Sequence, residues 1–358
     1  MWNARRRMRD GTAHGDKRMI LSTLRSDGPD NGLEDQTASV YNELRGFTMR
    51  QQWLVAAVFY AALASGSLAQ ERVRIVATTG DLRSLAKVVG AERVAVSSLV
   101  PAGESPEEYQ PRLQDVGILK GAVIVVRAGS GIDPWFDKLL TRSAAKNGRS
   151  GIERGEPGHL DASLAVAPND PLAVSAGFAR TRRASRGGPN PHYWLDPKSA
   201  EAITAMIAEA LTRSDPGNAT YYEANRRDFL ARLNAKMNEW QSRLIALRDE
   251  PMIAFHDDWR YFAGRFRLNI VDYMAARDRA PPRRAKMAEL IKLIRERGIK
   301  LIVAEARQPE RHANRLAQQT GAKVVLLAGS VGDLPHTDDY IAMFDANVNA
   351  LLAARTAR

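Results

Sequence analysis

The 358-residue sequence contains no cysteine. Disulfides, thiolate metal ligands and cysteine nucleophiles are thereby excluded together, while the compartment stays open, because cysteine-free chains occur in reducing and oxidising surroundings alike. Histidine is also scarce, with five after residue 70: His159, His192, His256, His312 and His336. No His-Glu-x-x-His run marks a helix-borne zinc hydrolase site. No apolar run reaches the roughly 20 residues that a membrane-crossing helix needs. The net charge of +11 and pI near 10 raise a nucleic-acid reading. Yet acidic residues accompany the basic ones along most of the chain, and no basic strand interleaved with aromatics offers bases a stacking surface. A solvated basic surface without a nucleic-acid partner is the expectation.

An apolar fraction of 44% with 26% charged residues is that of an ordinary globular protein, long enough for two domains. Residues 1–48 are polar and aperiodic, and read as disordered or as a mis-called upstream start. Met49 and Arg50 then precede an apolar run from Trp53 to Leu63 and the small residues Ser67 and Ala69. This is the pattern of a secretory signal peptide over 49–69, cleaved before Gln70.

From Gln70 onward, β-branched runs alternate with helix-like stretches, which implies an α/β fold with parallel sheets. Strands are expected at Val73–Thr78, Val94–Leu99 and Val123–Val126, with a short one near Leu160. A second series follows at Met252–Phe255, Leu268–Val271, Leu301–Ala304 and Val324–Leu327. Helices are expected from about Leu82, over Ser199–Thr212 and Met287–Arg297, and over Asp339–Ala354. Residues 141–189, rich in Gly, Pro, Ala and Arg, read as one long loop. The most regular segment is Tyr221–Leu247, where Leu230, Leu233, Met237, Trp240, Leu244 and Leu247 form one stripe at spacings of three and four. A helix of that length spans roughly 40 Å and suits a connector between lobes. The layout is an N-terminal lobe over 70–214, a connecting helix over 215–249 and a C-terminal lobe over 250–358.

Four side chains stand where binding groups are usually placed. His192 lies in Asn190-Pro191-His192-Tyr193-Trp194-Leu195-Asp196-Pro197, stiffened by two prolines that keep Asn190 and Asp196 out of helix. His256 and Glu305 each follow a strand, and Glu107 sits in a Pro-containing loop of the first half. Each alone reads equally well as structural trim. Converging in a cleft, imidazoles and carboxylates make a ligand set for zinc, manganese or iron.

The chain resembles the periplasmic zinc- and manganese-binding components of ABC metal importers, the ZnuA/TroA-like family. The resemblance spans nearly all of residues 72–355. It is carried by Val100-Pro101-Ala102-Gly103 continuing to Glu108-Tyr109-Gln110-Pro111, by Asn190–Pro197, by Phe255-His256-Asp257 with Tyr261-Phe262, by Val303–Glu305, and by the tail Tyr340–Leu351 with Asn347. It implies two α/β lobes, each with a mostly parallel sheet flanked by helices, joined by one long rigid helix. A divalent ion, zinc first and manganese as the alternative, would be held between them and handed to a membrane permease by a monomeric periplasmic protein that is not an enzyme.

His192 and His256 match two of the family's ligand places. Glu107 stands where a histidine is usual, and Gly329 aligns with a frequent aspartate. The resemblance therefore implies Glu107, His192 and His256 as ligands, with a fourth place open to water, Glu305 or Asp333. Asp257 would orient an imidazole or cap a helix. His336, His159 and His312 read as loop, structural or surface groups. Two other functions fit the same residues: a metal-dependent hydrolase with Glu305 as general base, and a degenerate adhesin or docking protein that no longer transports metal.

Overall fold

The computed structural model describes residues 72–148, 150–165, 190–275, 281–306 and 311–356. The expected signal peptide and the segment before it lie outside these residues. Among the described residues, no helix is long and apolar enough to cross a membrane.

The first sheet is built from β1 (Val73–Ala77), β2 (Val94–Ser98), β3 (Ile124–Arg127) and β4 (His159–Asp161), all parallel, in the order β2-β1-β3-β4. Strand β3, in the middle, is buried at every position, with Ile124, Val125 and Val126 ahead of a buried Arg127. Edge strand β2 alternates buried and solvent-facing residues. This difference follows from covering a parallel sheet on both faces, which leaves only its edges half wet. Helices α1 (Gly80–Gly90), α2 (Leu113–Ile118) and α3 (Phe136–Asn147) connect and flank these strands. Helix α1 starts sharply because the Thr79 hydroxyl accepts the Leu82 amide.

Helix α3 corrects one expectation. The supposed loop 141–189 begins inside this helix, whose apolar stripe of Phe136, Leu139 and Leu140 lies before residue 141. The strand near Leu160 is present as β4, and residues 166–189 are outside the described set.

After the Asn190–Pro197 connector come α4 (Ser199–Ser214) and the long α5 (Ala219–Leu244). The second sheet, β5 (Pro251–Ala254), β6 (Asn269–Tyr273), β7 (Leu301–Glu305) and β8 (Lys323–Leu327), repeats the first in topology, with order β6-β5-β7-β8 and all strands parallel. Its helices are α6 (Arg260–Phe266), α7 (Arg284–Arg297), α8 (Arg311–Thr320) and α9 (Tyr340–Thr356).

Helix α5 is more than a spacer. Tyr222, Phe229, Leu233, Trp240 and Leu244 are buried, while Leu230 and Met237 are only partly so. It packs against α1 and α4 on one side and α6 and α9 on the other. One apolar core therefore runs from Ile75 of the first sheet through α5 to Leu327 of the second, with Trp240 stacked on Phe344 at 5.4 Å. Each sheet has a separate core on its far face, around Phe136 and Val125 in one case and Ile302 and Leu290 in the other. Two lobes sharing a core across a long helix are held as a stiff frame, and the loops at the strand ends face each other across the seam.

Candidate metal centre

The second lobe contributes a buried cluster at the head of its sheet. Beyond β5 the ladder runs on for one residue, with Phe255 N donating to Val303 O at 2.7 Å, which holds His256 over the crevice between β5 and β7. Chain order reverses there, and open parallel sheets bind ligands at such reversals. Glu305, the last residue of β7, is fully buried. Its Oε2 lies 3.2 Å from His256 Nδ1, and its Oε1 accepts the Trp259 indole N–H at 2.8 Å. A carboxylate can only accept, so Nδ1 carries the imidazole proton and Nε2 keeps its lone pair. That Nε2 is buried and makes no hydrogen bond. A buried polar atom in this state needs an explanation, and a cation supplies one.

Residues Asp257–Trp259 form a single 3-10 turn with His256 at its N-cap. Asp258 is buried, and ligand atoms of His256, Asp258 and Glu305 all lie within 4.8 Å of one another. Asp257 instead ion-pairs with Arg260 at 3.3 Å. The expected roles of Asp257 change accordingly: it is not the cap, and the carboxylate at His256 Nδ1 is Glu305. Glu305 has both oxygens engaged, one on His256 Nδ1 and one on the Trp259 indole, the arrangement of a carboxylate that orients an imidazole.

The first lobe brings Glu107 and His192. Pro106 O accepts the Trp135 indole N–H at 2.7 Å, and Tyr109, packed edge-on against Trp135, donates its hydroxyl to Asp115 at 2.9 Å. Glu107 is thus held between two anchored neighbours. Burial first, and Asp115 second, push the Tyr109 hydroxyl up to about 12, so it stays a donor.

His192 stands before a 3-10 turn, Tyr193–Leu195, with Tyr193 donating to Ala128 O at 2.6 Å and Trp194 donating to Gly329 O at 2.9 Å. Asn190, which the sequence did not single out, orients it. The Asn190 Oδ1 accepts from His192 N and lies 3.0 Å from His192 Nδ1. Its Nδ2 donates to Asp257 O at 2.7 Å, which fixes the amide's orientation. His192 Nδ1 therefore carries the proton. Its Nε2 faces two carboxylates, Glu107 Oε1 at 3.5 Å and Asp258 Oδ2 at 3.4 Å.

His192 thus has Glu107 and Asp258 beside it, and Asp258 in turn groups with His256 and Glu305. Asp333 is held by backbone amides. Its carboxylate takes Gly103 N at 3.1 Å and Ser330 N at 2.8 Å, because the tight turn 330–333 needs an acceptor for its amides. It lines a polar cavity of about 140 Å³ on the same seam, bordered also by Arg83, Glu104 and Ser330, which the imidazoles do not border. His336 is exposed, His159 Nδ1 lies 3.0 Å from Ile152 O, and His312 has its basicity lowered by burial and by Arg311 and Arg315.

Residues 75–354 match the family model described as zinc-uptake complex component A, periplasmic (ZnuA). A putative metal-binding protein of Treponema pallidum (strain Nichols) is 26% identical over 256 residues, covering 71% of this chain and 78% of that one. The high-affinity zinc uptake system protein ZnuA of Brucella abortus (strain 2308) is 24% identical over 296 residues, covering 76% and 88%. Among solved structures, FpvC of Pseudomonas aeruginosa in complex with Mn2+ superposes with a TM-score of 0.65 at 23% identity, covering 80% of this chain and 99% of that one.

Proposed function

The chain belongs to the zinc-uptake complex component A family, periplasmic metal-binding components of ABC importers and not enzymes, and from that membership we propose how its cleft does the work. A divalent transition ion, zinc in the first place and manganese as the alternative, is captured by Glu107, His192 and His256 and passed to a membrane permease. The observation that carries this reading is the matched pair of imidazoles, one from each lobe. Each has an acceptor on Nδ1, Asn190 in one case and Glu305 in the other. Both Nε2 atoms are left to act as metal ligands, with the tautomer chosen in advance. The names of the relatives support both ions, zinc uptake for the Brucella protein and bound Mn2+ for FpvC.

The same reading divides the chain into lobes over 70–214 and 250–358 with a connecting segment over 215–249, acting as a monomer without a nucleic-acid partner. It has residues 49–69 removed on export, which N-terminal sequencing of protein recovered from the periplasm tests. Equilibrium dialysis tests the site. The wild-type chain is expected to hold about one zinc, and His192→Ala to weaken binding by more than about 100-fold, beyond the range seen for groups that only orient a ligand. Unchanged stoichiometry and affinity in the variant would sink the assignment.

A further inference from the structure

We propose that Asp258 is the fourth ligand of the metal centre, supplied from the turn after β5, so that the ion is held by two imidazoles and two carboxylates: His192, His256, Glu107 and Asp258. The proposal rests on the reading of the cleft as a metal site and adds a residue that this reading does not contain.

Spacing is the first argument. The Nε2 of His192 lies 3.5 Å from Glu107 Oε1 and 3.4 Å from Asp258 Oδ2. Both separations are long for a charge-assisted hydrogen bond, which closes to about 2.7–2.9 Å. They are the separations of neighbours around a shared centre: two ligand atoms, each about 2.0–2.1 Å from one tetrahedral ion, stand about 3.3–3.4 Å apart. Asp258 therefore bears the same relation to His192 as Glu107 does.

Position is the second argument. Asp258 also lies within 4.8 Å of a ligand atom of His256, whose buried Nε2 makes no hydrogen bond. It is a carboxylate grouped with both imidazoles, and it is 4% exposed. Glu305 does not compete for the role, since its oxygens face His256 Nδ1 and the Trp259 indole.

The backbone gives the third argument. Gly329 has no side chain to offer, and its carbonyl is committed to Trp194 Nε1. Asp333, in the loop after β8, has its two oxygens on the amides of Gly103 and Ser330. The second lobe closes the set from the β5 turn instead.

The test uses the full chain with zinc alone and with Co(II) alone as probes, in Asp258→Ala, Asp258→Asn and the neighbour control Asp257→Asn. Expected are a zinc affinity weakened by about tenfold or more in both Asp258 variants, a change in intensity of the visible Co(II) bands as water replaces the carboxylate, and neither effect in Asp257→Asn. Zinc-edge X-ray absorption on the wild-type protein, independent of how the variants fold, is expected to return two imidazole nitrogens and two oxygens at one short-shell distance. An Asp258→Asn protein that keeps wild-type affinity and Co(II) bands, while His192→Ala loses zinc, would overturn this proposal and leave the cleft reading standing. A wild-type chain that takes up no zinc or manganese would remove both.

Discussion

The two sheets share one strand order, but the crevice at the head of each is put to opposite use. In the second lobe it carries His256 and Glu305, with Asp258 on the turn beside them. In the first lobe the equivalent crevice, between β1 and β3, is filled by Asp133. Its Oδ2 accepts from Thr78 Oγ1 at 2.8 Å and from Ala128 N at 2.7 Å, and its Oδ1 from Gly129 N at 3.1 Å and the Arg127 guanidinium at 3.0 Å. Burial pulls the Arg127 guanidinium down, and Asp133 with Asp137 more than offsets it, so its net shift is upward. Here the fold's binding position is spent on holding its own loops, and the proposed ligands Glu107 and His192 come from outside the sheet. A topology thus supplies a position where charge can be held, and the side chains decide whether that charge is the protein's own or an ion's.

This contrast predicts that stability and metal affinity separate by lobe. The largest effect is expected for Asp133→Ala, which leaves the buried Arg127 guanidinium with Asp137 alone and strips the Thr78, Ala128 and Gly129 donors of their acceptor, costing about 3 kcal/mol of stability. Urea unfolding would measure it, and zinc affinity of the folded protein should stay near wild type. Should affinity fall with stability, the first crevice belongs to the metal site after all. Next is Glu305→Gln, which leaves one acceptor oxygen for two donors, His256 Nδ1–H and the Trp259 indole, and should weaken zinc binding about 10–100-fold in competition titration. A variant with normal affinity would end the orienting role.

The smallest effect concerns Tyr193, which ties its connector to the first lobe, and Tyr340, whose hydroxyl donates to Trp194 O at 2.6 Å from the second. Burial foremost, then nearby carboxylates, holds both hydroxyls well above their usual value of 10. The unfolded chain ionises there first, so stability is intact below about pH 10 and falls above it, by about 1 kcal/mol per tyrosine near pH 11. Urea midpoints across that range should show a shallower loss in Tyr193→Phe and Tyr340→Phe alike. A slope unchanged in both would mean that the hydroxyls are not protected by the packing.

The strands were legible in sequence because a parallel sheet covered on both faces demands β-branched runs such as Val73–Ala77 and Leu301–Glu305. The connecting helix was legible from its stripe, although Phe229 is buried where Leu230 was expected, a shift of one residue that spacing alone does not resolve. Helix α3 was obscured because its apolar positions crowd into its first half. At the site, His192, His256 and Glu107 stood out through scarcity and proline context. Asp258 did not. In a 3-10 turn neighbours point about 120° apart, so only one of the two consecutive acids after His256 can face the cleft, and nothing in Asp257-Asp258 says which. Asn190 was hidden for a related reason: its value lies in reaching Asp257 O and His192 at once, across 67 residues of chain.

That reach has a consequence for release. Asn190 is clasped by the other lobe at both ends, its Nδ2 on Asp257 O and its backbone oxygen under the Tyr261 hydroxyl at 2.8 Å. The amide that aims His192 is therefore also a gauge of lobe separation. Widening the seam by the length of one hydrogen bond frees the amide to rotate, and the imidazole loses the acceptor that selects its tautomer. For the proposed ligand set, parting the lobes and loosening the imidazole would be a single event, and an ion would be released by the seam that aimed its ligand.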